Sequence, residues 1–509
     1  MALAVDLVRR GAARYADRTA VLVGDERLTY REVDEAANRF AHFLIDHGAG
    51  KGDRVALLVG NGPWSVSLDF ACLKAGVVRV PLNARLSVAE HQRMIEETGA
   101  RWLVHVPELG DPAGQLCANV PGLKAVGLGG PGVDGGPDLL EASATSPSED
   151  PMVPLAPADP MLLLYTSGTT GTLKAVTHTQ ASFGAIATNI LANLLNPGPD
   201  SVMLHAASLI HASGTFVLPY WVRGGAAAVL PGFDPATFLS AVQRYRATEI
   251  NLVPTMLGML FANGAPTGVD LSSLRTVIYG ASPMPRPLIT AAMAAWGPIF
   301  KQYYGQTEAP LCITVLDEHD HTDPDLLGSC GHPTVDAQVR LADEDGHPVP
   351  RGEIGEIQVK APFQMAGYHQ ADDLNAEMIT TDGWIRTRDM ATADDRGYLF
   401  LVDRRSDMII TGGYNVYPRE VEDALMSHPA VAECAVVGAP DPTWVEAVTA
   451  FVALRPGQQA TVDDLRAHVR AQVAGYKVPK RIEFIDTVPK SAVGKILRRA
   501  LREQLLGDR

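Results

Sequence analysis

The chain has 509 residues, 46% apolar and 20% charged, an ordinary make-up for a folded protein and too long for a single core. A formal net charge of −15 with no basic stripe excludes a nucleic-acid binder and leaves room only for local cationic pockets. The five cysteines (Cys72, Cys117, Cys312, Cys330 and Cys434) are scattered and form no C-x-x-C pair, which fits a reducing, cytoplasmic setting, and no run of about 18 apolar residues offers a membrane span.

In chain order, Met1–Ala20 carries Arg9, Arg10, Arg14 and Arg18 without a sustained apolar run, so no secretory signal is expected there. Apolar runs of strand length follow at Arg54–Val59, Val78–Pro81 and Trp102–Val106, separated by helical patterns at Val66–Ala75 and Val88–Thr98. Gly110–Pro151 is rich in Gly, Pro and Ser and reads as a loose surface excursion. Further strands are expected at Val202–His205, Ala226–Leu230, Glu249–Val253, Thr276–Tyr279 and Pro298–Tyr303, with helices at Pro235–Arg244 and Pro287–Ala295. Apolar strands alternating with helices predict α/β layers on largely parallel sheets. Around Gly328–Val339 and Gly352–Val359 the pattern turns to β, with Gly and Pro punctuation. From Arg419 the order becomes helix, strand (Val431–Val437), strand (Val448–Leu454), helix (Val462–Val473), strand (Arg481–Ile485) and a basic tail. Two domains are therefore expected, residues 1–403 and a small α+β unit of residues 404–509.

The most informative stretch is Y-T-S-G-T-T-G-T-L-K-A-V-T-H at 165–178. A buried apolar run, Met161 to Leu164, leads into Thr166, Ser167, Gly168, Thr169, Thr170 and Gly171, and then Lys174. Glycines let backbone N–H groups converge on an anion, hydroxyls add donors, and the lysine adds a point charge. That combination suits a polyphosphate better than it suits a plain surface loop. The spacing is not that of a Walker loop, so kinases and P-loop ATPases are disfavoured. Thr307 and Glu308 follow a strand, where a hydroxyl and a carboxylate could hold Mg²⁺ against phosphates or simply cap a helix. His319 and His321, in D-E-H-D-H-T-D-P-D, read as an exposed acidic loop rather than metal ligands, because no second cluster has zinc spacing.

Further strings stand in a fixed order after the loop: Q-Y-Y-G-Q-T-E-A at 302–309, W-I-R-T-R-D at 384–389, D-R-R-S-D-M-I-I-T-G-G-Y-N-V-Y-P-R-E-V-E at 403–422 and P-K-S-A-V-G-K-I-L-R-R at 489–499. Together with weaker echoes at Leu28-Thr29-Tyr30 and residues 75–86, they resemble the acyl-adenylate-forming enzymes over nearly the whole chain, and the acyl-CoA synthetases among them most. The resemblance implies a large domain ending in a small β-barrel-like subdomain, and a small mobile C-terminal domain that swings between two half-reactions. It implies that the loop and Lys174 hold ATP phosphates, that Thr307 contacts phosphate, and that Glu308 binds Mg²⁺. Gly280, Ala281 and Ser282 would face adenine, Tyr304 would stack on it, and Asp389 would take both ribose hydroxyls. Arg404 would touch ribose and phosphate. Lys495 would bridge the carboxylate and the α-phosphate in the first step. Gly412 and Gly413 would line the tunnel for the CoA arm, and His211 would gate it beside the acyl carboxylate, although a lone histidine in an apolar run is commonly a packed core residue.

The chain departs from the family pattern T-G-x-P-K-G, having Leu173 for the proline and Ala175 for the second glycine. Arg388 replaces a glycine beside Asp389, and Ser406 stands where an Asp or Lys marks the hinge. The expected activity is ATP–Mg-dependent activation of a carboxylic acid as acyl-AMP, followed by transfer to the CoA thiol. Three other readings are a thioesterification-only ligase fed acyl-AMP by a partner enzyme, its loop impaired by Leu173 and Ala175; an enzyme loading a carrier protein; and a non-catalytic nucleotide binder. Small residues (Ala212, Ser213, Gly280, Ala281 and Gly305) suggest room for a bulky, apolar acyl group.

Overall fold

The computed structural model describes residues 2–167, 173–210, 212–262, 264–404, 407–412, 414–490 and 496–507, without the side chains of Ser167, Leu173, Arg404 and Leu506. Two large sheets organise the long N-terminal part. The first has nine strands, in the order His332–Pro333, Ala309–Leu316, Phe300–Gln306, Thr276–Gly280, Glu249–Leu252, Val202–His205, Ala226–Val229, Thr19–Val23 and Glu26–Thr29. From Phe300–Gln306 across to Thr19–Val23 the pairings are parallel, as the buried strand runs separated by helices predict. The second has seven strands, in the order Gly367–Tyr368, Leu173–Thr179, Pro160–Ser167, Val78–Pro81, Arg54–Leu58, Trp102–His105 and Lys124–Gly127.

Local signals set the helices. Val88–Thr98 opens with a reciprocal Ser87–Glu90 capping box and stops at Gly99, whose φ of 64° suits a residue without a Cβ. Ser65–Ala75 is apolar nearly all round and accordingly almost wholly buried. Its lysine, Lys74, is 1% exposed; the Nζ lies 2.6 Å from both Asp34 Oδ1 and Asn38 Oδ1 and 3.3 Å from Asp150 Oδ2. Among the described residues no helix is long and apolar enough to cross a membrane.

Two expectations are corrected. Gly110–Pro151 is no loose excursion: Gly110–Asn119 is a helix, and Lys124–Gly127 adds a parallel edge strand to the second sheet. Ala113, Leu116 and Val126 are fully buried, so a few well-placed apolar side chains outweigh the Gly/Pro composition. The basic tail forms a helix, Arg498–Gly507, whose Leu501 and Leu505 pack on Ala435, Val437 and Phe451. The barrel-like region is a four-stranded antiparallel sheet of Gln338–Ala342, Gly355–Lys360, Ile385–Ala393 and Leu399–Arg404. Beyond it, Tyr414–Val416, Ile409–Thr411, Val445–Leu454 and Val431–Asp441 form an antiparallel sheet, with Arg481–Phe484 parallel to Val445–Leu454. This C-terminal sheet has its own apolar core, including Ile409, Val421, Val436, Ala450, Leu465 and Val469.

Candidate active site

The described ends of the phosphate-loop stretch lie on two paired strands. Pro160–Ser167 pairs antiparallel with Leu173–Thr179, in the register Tyr165↔Ala175, Thr166↔Lys174 and Ser167↔Leu173. Side chains alternate across a strand, so Lys174, Val176 and His178 share one face while Ala175 takes the other. The His178 face meets the second motif: the Thr307 carbonyl accepts a 2.8 Å hydrogen bond from His178 Nε2. Burial, aided by Arg79 and opposed by the Thr307 carbonyl, depresses the His178 pKa to about 4. The ring is therefore neutral, with its proton on Nε2 and its Nδ1 3.3 Å from Ser182 Oγ.

Ala175 lies in an apolar cluster with Val80, Leu82, Met94, Ile95 and Leu163. Its methyl thus fills the core beneath the sheet, and its φ is not in the left-handed region. This removes Ala175 from the loop impairment that the thioesterification-only reading expected. Leu173 has a strand backbone position opposite Ser167. Gly168, Thr169, Thr170 and Gly171 lie outside the described residues.

Thr307 and Glu308 do not cap a helix; they form the turn between the antiparallel strands Phe300–Gln306 and Ala309–Leu316. A third segment completes the junction. Gly367–Tyr368 pairs with Leu173–Thr179, and Tyr368 donates from its hydroxyl to Glu308 Oε1 at 2.6 Å. Burial first, and the Glu308 charge second, raise the Tyr368 pKa. Glu308 is 9% exposed, and its backbone carbonyl accepts from the Met365 N–H at 2.7 Å. His178 and Tyr368 were missed as site residues, although His178 closes the loop string itself. Their partners are remote in sequence, and nothing in the string announces them.

A second cluster joins the nucleotide candidates. The Tyr304 hydroxyl donates to Asp389 Oδ2 at 2.7 Å, and the two residues are 9% and 8% exposed. Burial, then the Asp389 carboxylate, push the Tyr304 pKa well up. Asp389 is the ladder partner of Arg404, so two residues 15 apart in sequence sit face to face in the backbone. Arg388 has φ +60°, in the left-handed region, which explains why a glycine suits this position. Its backbone N–H donates to Glu356 Oε1 at 2.9 Å, and its side chain reaches Met378 Sδ and Glu377. Gly280 ends the strand Thr276–Gly280, and Ala281 follows at φ +68°, exposed, with Ser282 partly buried.

In the C-terminal part, Gly412 has φ +57° and donates its N–H to the Trp444 carbonyl at 2.8 Å; a Cβ there would lie 3.0 Å from the indole. Gly413, Ser406, His211 and Lys495 lie outside the described residues, as does the Arg404 side chain. His321 is not exposed as expected: it is buried, with Nε2 2.8 Å from the Tyr279 hydroxyl and Nδ1 2.6 Å from the Asp317 carbonyl. Both ring nitrogens are occupied, so it is a structural histidine. His319 is exposed.

The AMP-binding enzyme family matches residues 8–369, and the AMP-binding enzyme C-terminal domain matches residues 420–495. The chain is 40% identical over 488 residues to a feruloyl-CoA synthase of Amycolatopsis, covering 96% of each chain. It is 37% identical over 503 residues to a medium/long-chain-fatty-acid–CoA ligase of Mycobacterium tuberculosis, covering 96% of this chain and 88% of that one. The solved structure of the amide bond synthetase McbA from Marinactinospora thermotolerans superposes with a TM-score of 0.91 at 31% identity, covering 98% of this chain and 99% of that one. The chain belongs to the AMP-binding enzyme family, as an acid–thiol ligase of the acyl-CoA synthetase kind.

Proposed function

We propose that this ligase performs both half-reactions itself: carboxylate attack on the ATP α-phosphate with loss of pyrophosphate, then attack of the CoA thiol on acyl-AMP with loss of AMP. The observation that carries the reading is the convergence of the loop hairpin and Gly367–Tyr368 on the Thr307–Glu308 turn, His178 at the Thr307 carbonyl and Tyr368 at the buried Glu308 carboxylate. The thioesterification-only alternative loses one of its two supports, because the Ala175 methyl lies in the core.

In this reading Lys174, Thr166 and the loop hold the phosphates, with Lys174 and Thr166 on the face that also carries His178. Glu308 and Thr307 are the residues that would hold Mg²⁺. With Oε1 engaged by Tyr368, Glu308 keeps its second oxygen as a hard ligand, and a bound ion would neutralise phosphate charge. Tyr304 stacks on adenine, Asp389 and Arg404 take the ribose, and Lys495 stabilises the meeting of two anions. Gly412 and Gly413 would line the CoA arm's path, and His211 would gate it beside the acyl carboxylate. The domain boundary is placed at 403/404, with the C-terminal unit changing orientation between the steps. A cytoplasmic location is supported by five free thiols. The names of the relatives support an apolar acid, aromatic or aliphatic, as substrate.

The test supplies ATP–Mg and CoA with a panel of acids, following pyrophosphate exchange and thioester by mass spectrometry. Synthetic acyl-AMP plus CoA, and acyl-AMP plus a phosphopantetheinylated carrier protein, run beside it. Acid-dependent exchange together with acyl-CoA supports the two-step reading. Thioester from acyl-AMP alone, without exchange, refutes it, and preference for the carrier reassigns the acceptor.

A further inference from the structure

The carboxyl ends of parallel strands are where α/β sheets bind ligands, and one side chain ties such ends together across the two large sheets. Asn61 lies just beyond the strand Arg54–Leu58 of the seven-stranded sheet. Its Nδ2 donates to the Ala207 carbonyl at 3.0 Å and to the Leu230 carbonyl at 2.9 Å, and its Oδ1 accepts from the Leu209 N–H at 2.8 Å. Ala207 and Leu209 follow the strand Val202–His205, and Leu230 follows Ala226–Val229, both in the nine-stranded sheet. Both amide hydrogens and the oxygen are engaged, which fixes the orientation of the group. Asn61 is itself presented on a pinned turn: Ser65 Oγ accepts from the Gly62 N–H at 2.8 Å and donates to the Gly60 carbonyl at 3.0 Å.

The far side of the same loop is closed independently. His205 is 1% exposed, and its Nδ1 lies 2.9 Å from Ser213 Oγ. A Cβ on Gly214 would overlap the Leu209 carbonyl oxygen, so the chain folds back tightly here. Leu209 and Ile210 pack against the main apolar core. The loop is thus held on both sides of His211, which itself lies outside the described residues. We propose that Asn61 is a positioning residue for the thioester-forming step, holding the Ala207–Leu209 backbone so that His211 stands at the acyl group. This rests on the role given to His211 above. Asn61 belongs to none of the motif strings, and its effect runs through backbone that it alone ties to the other sheet with a full set of amide bonds. A misplacement of about 1 Å at a reacting group costs up to about 10²-fold in rate, so freeing this loop is enough to show.

The test follows single-turnover thioester formation from CoA and the synthetic acyl-AMP that the native enzyme converts best, with AMP affinity measured by calorimetry. The native enzyme, Asn61→Ala, His211→Ala and the double variant are compared. Asn61→Ala slows the step by at least about tenfold. It leaves AMP affinity within about twofold, because the Tyr304–Asp389 cluster shares none of these bonds. Added to His211→Ala, it slows the step further by less than about twofold, since the group it positions is already gone. Asn61→Asp, which sets a carboxylate oxygen against two carbonyls, slows the step at least as much as Asn61→Ala. An unslowed Asn61→Ala, an equal loss of AMP affinity, or simple additivity in the double variant overturns the proposal. Should Asn61→Ala fail to fold, Asn61→Ser takes its place in the same comparison, and an unslowed step there is equally fatal. A native rate in His211→Ala removes the His211 reading and this route with it. A slowed His211→Ala with an additive Asn61→Ala removes only the role of Asn61. A native enzyme that makes no thioester from acyl-AMP and CoA removes the ligase reading as well.

Discussion

Tyr304→Phe separates the two jobs assigned to this residue, because it keeps the ring and deletes only the hydroxyl. The lost bond is 2.7 Å long and ends on a carboxylate, and both partners are almost fully buried, so water cannot replace the donor. A charge-assisted bond of this kind contributes about 1.5–3 kcal/mol. If its function is to aim Asp389 at the ribose hydroxyls, AMP affinity falls by a factor of about 10 to 150. Calorimetry with AMP and with 2′,3′-dideoxy-AMP distinguishes the routes. The loss should be large for AMP and small for the dideoxy ligand, which offers Asp389 nothing to accept. A double-mutant cycle with Asp389→Ala should show a coupling of similar size, since the residues are in contact. Unchanged AMP affinity, equal losses for both ligands, or simple additivity would show that the hydroxyl does not act through Asp389.

Three further outcomes follow from buried groups. The His178 pKa of about 4 lies below the ordinary histidine value of about 6.5; the unfolded chain therefore takes the proton first, and stability present above pH 6.5 is lost as pH falls toward 4, about 3 kcal/mol in all. Between pH 7.5 and 5 the urea midpoint of His178→Gln should drop by the equivalent of about 2 kcal/mol less than that of the native protein, and parallel slopes would refute the assignment. Ala175→Gly should cost about 1–2 kcal/mol in the same assay, through a lost core methyl and a more flexible strand, without raising pyrophosphate exchange. A rise in exchange would restore the impaired-loop reading. Lys74→Ala leaves Asp34 and Asp150 without their shared cation and should cost about 3 kcal/mol, the lower end for a broken buried pair because both carboxylates keep some solvent access; a loss below about 1 kcal/mol would mark the pair as surface-like.

Local pattern alone determined much of this protein. The strand at Val202–His205 and the helix at Val88–Thr98 stand where apolar spacing and the Ser87–Glu90 cap put them. The motif strings singled out Lys174, Thr307, Glu308 and Asp389, because phosphate and ribose binding demand particular groups at short, ordered spacing. The tertiary structure decided the rest. Whether Ala175 faces phosphate or core depends on the hairpin register, which a string does not contain. The partnerships of His178 with Thr307 and of Tyr368 with Glu308 link residues 129 and 60 positions apart. The room that Gly280 suggested is filled by a ring from the neighbouring strand. Composition counts small residues, but space is the difference between a residue's volume and its neighbours' reach, and only packing sets the neighbours.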